Sequence, residues 1–513
     1  MKKIVFVTLA LIAGIASFSS CNLDQYPDTA LSTEDAMESA ADCNNFLIGI
    51  YAASKSIFSG FYMYAPDFMT DSYHAIKGFG NWDGDFYTHN VVASDSSVES
   101  VWFNYYAVIG NCNFLIAGTQ KLLASGTLNE EDTKTVQEYY GVACFFRAFL
   151  YFRLAQYFCK DYDPATAETT LGVPVVTKYE PTGDASKYPH RGTLKATFDQ
   201  VDADITVAET YVLTAGKPDY GYVSADAVKA LKARVALAKE DWDTAYETAS
   251  ALVDAGTYPL ETVAANYASG WVKDDLKEAI WQPIIKDNSD GGSACSYFVH
   301  NTTGNDGDDD PQYVPEKWVL DLYDSATDIR YDAYFANRAI NMRGNVGNLT
   351  ILIKFPGNPA LNSTAASRYI NMPKVFRISE MYLIAAEAAL SKATPDAVNA
   401  AKYLNALQTK RGATVTAATL DNVRDERVRE LFGEGFRLFD IKRYHIGFTR
   451  DAGQDPSMIQ DNAKNLTLPA DSPKFVWPIP TAEMEANPQM KGEQNEGYSL
   501  VVEEQEEQGE GGE

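Results

Sequence analysis

The chain has 513 residues, 46% of them hydrophobic and 22% charged, with a formal net charge of −27. That apolar content supports a large buried core and excludes global disorder. The acidity excludes nucleic acid as a partner, because phosphate binding needs clustered Lys and Arg, and it excludes adhesion to an anionic membrane through surface charge.

The first residues read as an address. Lys2 and Lys3 precede an apolar run, Ile4 to Ala16, whose 13 residues are too few to span a membrane comfortably. Small residues follow, then Cys21. This is the layout of a signal peptide over 1–20. The "FSSC" ending resembles a bacterial lipobox, with Phe18 where Leu is usual, which makes Cys21 the expected lipidation site. At ~0.8 kcal/mol per buried CH2, several acyl chains anchor stably where one binds marginally. Residues 21–33 then read as a lipidated tether and 34–500 as a single helical domain.

A Ser-x-x-Asp pattern at Ser32–Asp35 predicts a helix start, with Phe46, Leu47, Ile50 and Tyr51 on one face. Residues 60–98 break the pattern with Gly, Asp, Asn and aromatics. Helix returns in "SSVESVWFNYYAVIGNCNFLIAG", and the longest helix is predicted over 136–158, where Val142, Phe146, Phe149, Leu150, Arg153 and Tyr157 recur at helical spacing. "GVPVVTK" reads as extended. Residues 224–260 fit two amphipathic helices with a turn near Glu240–Asp241, and Trp242, Tyr246, Ala249 and Leu252 form one stripe. This looks like a tetratricopeptide hairpin, a unit that buries its faces only by stacking. A second such hairpin is predicted over 377–413, where Ala385, Ala386, Ala388 and Ala389 permit close helix contact. Residues 283–375 read as an irregular excursion, and 501–513 as a disordered acidic tail.

No enzyme motif emerges. The six cysteines (Cys21, Cys43, Cys112, Cys144, Cys159, Cys295) form no CxxC pair, and the five histidines form no HExxH. No nucleophile elbow, Walker loop or dinucleotide fingerprint is present. No metal or cofactor is expected; "NDGDDD" at 305–310, with Asp308, could take a hard cation but reads as a solvated acidic loop. The aromatic loops are more informative. "GFGNWDGDFYTH" sets Phe79, Trp82, Phe86 and Tyr87 among Asn81, Asp83 and Asp85. Sugars have apolar C–H faces and rings of hydroxyls, so loops mixing aromatics with Asn and Asp suit them. The competing reading is that Trp82 folds inward and anchors its own loop. Candidate ligand-binding residues are Trp82, Asn81, Asp83, Tyr73, Phe79 and Tyr87, with Tyr297 and Asn288 from the loop 286–304.

"FRISEMYLIAAEAAL" (376–390), "RDERVRELFGEGFRLFDIKRY" (424–444) and "FVWPIPTAEMEANPQMKGEQNEGY" (475–498) together resemble the SusD/RagB family, as do "YYGVACFFRAFLYFRLAQYF", "GVPVV" and "FLIGIYAA" upstream. The resemblance implies a mainly α fold: a scaffold of tetratricopeptide-like hairpins carrying long irregular ligand-binding excursions. It also implies a non-enzymatic lipoprotein on the outer face of the outer membrane that captures glycans for a TonB-dependent, SusC-like transporter. In the RagB branch, peptides are the alternative ligand. Hydrolysis by a carboxylate pair is the third reading. Within 424–444, Val428, Leu431, Phe432, Phe436 and Phe439 are expected on one helical face, with Glu434 and Arg437 pairing on its surface. Glu426, Arg429, Glu434 and Arg437 read as scaffold.

Overall fold

A computed structural model describes residues 36–498, apart from 219, 287–289, 291–297, 299–310, 362–368, 452 and 461–463. The signal peptide, Cys21, the tether, the Ser32–Asp35 pattern, Asn288, Tyr297, Asp308 and the acidic tail lie outside the described residues.

The scaffold is helical. Its main helices are α1 (Ala40–Ser54), α2 (Phe61–Phe68), α3 (Ser96–Ser125), α4 (Glu130–Phe158), α5 (Leu194–Tyr211), α6 (Ala225–Ala238), α7 (Trp242–Asp254), α8 (Ala264–Lys273), α9 (Ile329–Tyr334), α10 (Ile378–Ser391), α11 (Ala397–Arg411), α12 (Leu420–Leu431) and α13 (Arg437–Arg443). Many begin on a side-chain cap that satisfies a free N–H of the first turn. Asp95, Asn129, Thr193, Ser224, Asp241, Asp396 and Thr419 do this. The α1 cap is Ser39, paired with Asp42, so the described helix starts beyond the predicted Ser32–Asp35 signal.

Consecutive helices stack, α3 on α4, α4 on α5, α6 on α7, and α10 on both α7 and α11. The α6–α7 turn falls at Glu240, which takes a left-handed φ of 58°. The stripe is realised in part: Ala249 and Leu252 are buried, while Trp242 and Tyr246 pack against the core from its margin. Ala385, Ala386, Ala388 and Ala389 of α10 are fully buried, as close packing of that hairpin requires. The helix α4 packs between α3 and α5. From Gly141 to Phe158 nearly every side chain is buried, so no face of that half is left to solvent. Its Arg147 is held by both carboxylate oxygens of Asp204 on α5, at 2.8 and 2.6 Å.

Three sequence expectations are corrected. Residues 424–444 are two helices, because the chain turns at Gly433 and Gly435, with φ of 76° and 80°. A Cβ at Gly435 would sit 2.1 Å from the Met63 carbonyl oxygen, so a glycine is required there. Glu434 and Arg437 accordingly do not pair. Glu434 accepts from Lys354 and Arg377, and Arg437 from α13 donates to Asp71. Second, "GVPVV" joins no ladder; the Tyr151 hydroxyl contacts both the N–H and the carbonyl of Val176. Third, 283–375 is not irregular throughout. It holds a regular antiparallel hairpin over Phe335–Leu352.

The described strands pair two by two. Strand β1 (Tyr73–Ala75) pairs with β3 (Tyr313–Pro315), and β2 (Ala279–Trp281) with β6 (Phe376–Arg377). Strands β4 (Phe335–Met342) and β5 (Asn345–Leu352) form the hairpin, in register from Phe335↔Leu352 to Met342↔Asn345. Its two turn residues, Arg343 and Gly344, both have positive φ, 51° and 87°, which gives the twist a tight hairpin needs. The C-terminal motif seals the end of α4. Trp477 is buried against Tyr157, its backbone N–H donating to the Tyr157 carbonyl at 2.8 Å, and Asn495 donates to the carbonyls of Phe158 and Trp477.

Candidate ligand-binding site

The loop after β1 is built around Tyr313. Its ring stacks on Phe68 at 4.7 Å and lies 5.8 Å from Phe79 and 5.5 Å from Tyr87. Its hydroxyl donates to the Trp82 carbonyl at 2.6 Å, and the neighbouring Gln312 side chain accepts the Gly80 N–H at 2.8 Å. A strand more than two hundred residues downstream therefore fixes the rim of this loop.

The structure divides the aromatics that the sequence groups together. Tyr73 and Tyr87 are fully buried and Phe79 nearly so, which removes all three from ligand contact and makes them the floor of the loop. Tyr87 lies under the Arg450 guanidinium, 3.7 Å from its ring centroid. Phe86 packs on Phe61 and Trp477. Trp82 alone of the group faces outward, 56% exposed. Trp82 is more than half exposed, so its ring does not fold into the core; the indole nitrogen lies over Gly80 of the same loop, and the main-chain carbonyl ties the loop to Tyr313. Asn81 is exposed beside it and Asp83 half-buried, both with left-handed backbone, φ 55° and 50°. Asn and Asp are the side-chain-bearing residues that tolerate this conformation best. Asn288 and Tyr297 lie outside the described residues.

A residue the sequence reading missed completes the rim. A Cβ placed on Gly80 would lie 2.6 Å from the Trp82 indole nitrogen and 3.4 Å from an Arg343 guanidinium nitrogen. Arg343, at the exposed tip of the β4–β5 hairpin, is thus the neighbour of Trp82. The signal was present: "INMRGNVGNLTIL" alternates on either side of Arg-Gly, a hairpin pattern. An exposed indole flanked by a guanidinium, an amide and a carboxylate offers one stacking face and directional hydrogen-bonding groups. That combination suits a hydroxylated ring.

Beneath this rim, His74 on β1 and Glu316 just after β3 form a wholly buried pair, Nε2 to Oε1 2.6 Å. Burial raises the Glu316 carboxyl above the ordinary carboxylate range, opposed by His74 and Arg450. A larger buried cluster ties the hairpin and excursions to the scaffold. Glu430 on α12 accepts from Arg330, Arg377 and Arg411, and Arg411 also donates to Glu278. Burial alone would raise the Glu430 carboxyl, but Arg411, Arg377 and Arg330 hold it well below the usual range. Lys354 is pushed down to about 8 by burial, against the pull of Glu434. Glu426 and Glu430 have no surface exposed to a substrate and Glu434 almost none, which gives them a structural role.

Cys43, Cys112, Cys144 and Cys159 are free and buried. Among the described residues, no helix is long and apolar enough to cross a membrane, and no group of three or more His, Cys, Asp or Glu is arranged to hold a metal ion.

Residues 350–498 match the family model described as "SusD family", and residues 22–237 match one described as "Starch-binding associating with outer membrane". No curated protein matches the chain. The fold is similar to a crystal structure of a SusD superfamily protein from Bacteroides thetaiotaomicron, with a TM-score of 0.75 and 27% identity, over 89% of this chain and 99% of that one. It is also similar in fold to a SusD-like carbohydrate binding protein from Bacteroides vulgatus (TM-score 0.70, 18% identity, 91% and 99% covered). A third similar fold is surface glycan-binding protein A from Bacteroides fluxus (TM-score 0.66, 21% identity, 89% and 99% covered).

Proposed function

The chain belongs to the SusD family, and on that premise we propose that it is a non-catalytic lipoprotein, anchored through Cys21 and facing the cell exterior, that captures glycans and delivers them to a TonB-dependent, SusC-like transporter. The observation that carries the glycan reading is the exposed Trp82 indole, set beside Asn81, Asp83 and Arg343 on a loop whose floor is buried and fixed from β3. A preorganised rim loses little freedom on binding, so most of the contact energy appears as affinity. Aromatic contacts contribute ~0.5–1.5 kcal/mol each beyond area burial, which gives modest affinity from one indole and its polar neighbours. Modest affinity suits capture and release to a transporter. The starch-binding description of the matching family model supports α-glucans as the first glycans to test.

Isothermal titration against maltooligosaccharides and a wider glycan panel tests the reading. Trp82→Ala should abolish binding of whichever glycan binds, and Arg343→Ala should weaken it. Unchanged affinity in Trp82→Ala removes the indole from the site. Retention of peptides and no glycan by the full-length protein would transfer the function to peptide capture. Turnover of a glycan, lost on substituting a single Asp or Glu, would overturn the non-catalytic reading. Mass spectrometry of the mature N-terminus checks the anchor: an unmodified Cys21 sinks it.

A further inference from the structure

The helices α1 and α3 pack on each other, and each also turns a face outward. On α3, Phe103, Ala107, Gly110, Phe114 and Ala117 recur at steps of four and three, which places them on one side of the helix. Phe103 is 67% exposed, Ala107 and Ala117 are exposed, and Gly110 and Phe114 are half-buried. On α1, Ala41, Asn45, Ile48, Gly49 and Ala52 make a second outer stripe, every one of them exposed. Phe46 sits at the seam, its ring 5.0 Å from Phe114, and Tyr179 meets Phe114 at 4.8 Å. The two stripes are therefore one surface.

Its chemistry sets it apart from the rest of the exterior. Residues 43–54 and 101–120 contain no Asp, Glu, Lys, Arg or His, in a chain that is 22% charged with a net charge of −27. Charges begin only at the margins, with Asp42, Glu99, Lys121 and the exposed pair Lys178–Glu180. Large apolar groups stand in water instead: Phe103, Phe46 and Ile48, the last 54% exposed. An aromatic and aliphatic centre free of charge, with a charged rim, is the composition of a protein interface. The surface also lacks the carboxylate and guanidinium that the Trp82 rim offers to hydroxyls, which favours a protein over a glycan. Gly49 and Gly110 lie inside helices, where Ala is the better residue, and a Cβ added to either would meet no other part of the described chain. Nothing in the packing of this chain calls for them, whereas a partner backbone approaching closely would.

The tether selects the partner. Residues 22–39 separate Cys21 from α1, a reach of at most roughly 60 Å. The helix α1 thus stands at the root of the anchor, and a lipid on Cys21 confines this face to the neighbourhood of the membrane. A protein fixed in the same membrane meets it at high effective concentration, so a face of a few apolar groups with no electrostatic steering suffices. We propose that the α1–α3 face is where the chain docks on the exterior surface of the membrane-embedded transporter, an inference that rests on the delivery reading above. Phe103, Ile48 and Phe46 enter the partner as apolar anchors, and Gly49 and Gly110 admit its backbone.

The test is co-purification of the full-length protein from detergent-solubilised outer membranes of its own cells, with retained proteins identified by mass spectrometry. The parent should retain a TonB-dependent barrel. The double variant Ile48→Asp/Phe103→Asp should retain at least tenfold less of it. Its melting curve should match the parent's, since both side chains are exposed. Val398→Asp, at a still more exposed position on α11, should retain as much barrel as the parent. In otherwise unchanged protein, Phe103→p-benzoylphenylalanine should photo-crosslink to the same barrel. Full retention by the folded double variant, or a crosslink from position 103 only to a second copy of this chain or to no protein, would overturn the docking face and leave delivery to a transporter standing. No barrel retained by the parent would overturn both.

Discussion

The cluster around Glu430 and the rim around Trp82 use similar side chains in opposite ways. At Glu430, charges are withdrawn from water and matched: three arginines converge on one carboxylate, and none of the four side chains has more than a trace of exposed surface. At the rim, Trp82 and Arg343 are left in solvent, and the matching occurs below them, in Tyr313, Phe79 and Tyr87. A desolvated ion is tolerated only with partners, so the first region is committed to holding the fold. The second leaves its large side chains at the surface, so their loss should disturb the fold less.

The contrast predicts a ranked set of effects. Glu430→Gln should be the most damaging, by about 3–5 kcal/mol, because it leaves three buried guanidiniums short of charge. Denaturant unfolding measures this, and a loss under 1 kcal/mol would break the contrast. Gly435→Ala should follow. It forces a Cβ into a left-handed position at about 1–3 kcal/mol of strain, and drives it against the Met63 carbonyl. Thermal melting should show it clearly less stable than Gly492→Ala, where the same left-handed backbone meets open space.

Acid–base behaviour sharpens the comparison. Asp67, which accepts the Gly435 and Arg437 N–H groups, is buried, and burial raises its carboxyl to about 7 despite those bonds and Lys354. Its folded value exceeds the ordinary 3.8, so the folded state holds the extra proton. The Asp67 contribution is thus present in full below about pH 4 and is lost as pH rises to about 7. The stability difference between parent and Asp67→Asn, measured across pH 4–8, should shrink in the parent's disfavour over that window. A flat difference would contradict the assignment. The smallest effects on stability belong to the rim. Trp82→Ala and Arg343→Ala should each change unfolding by no more than about 0.5 kcal/mol, as for other exposed substitutions, while weakening glycan binding. A large destabilisation by either would make that residue scaffold after all.

Much of the fold was legible without coordinates, for local reasons. The hairpin 224–260 carries its caps, its turn at Glu240 and its apolar stripe within one short stretch, and the long helix 136–158 shows itself by side chains recurring at helical spacing. Position 82 could be proposed because an indole among Asn and Asp is unusual in a loop. Other features depended on partners far along the chain. Nothing in "FGEGFR" says that Glu434 will face Lys354 and Arg377 instead of Arg437; the two left-handed glycines and the Met63 backbone decide it. Nothing local separates Trp82 from Tyr87 either. The difference is that β3 pairs with β1 and places Tyr313 over one ring and under the other's carbonyl. The sequence by itself therefore determined the helical repeat scaffold and the loop that departs from it, because periodicity and capping act over a few residues. Only tertiary structure decided which aromatics are floor and which is surface, and brought Arg343 to Trp82, because burial is a property of the assembled chain.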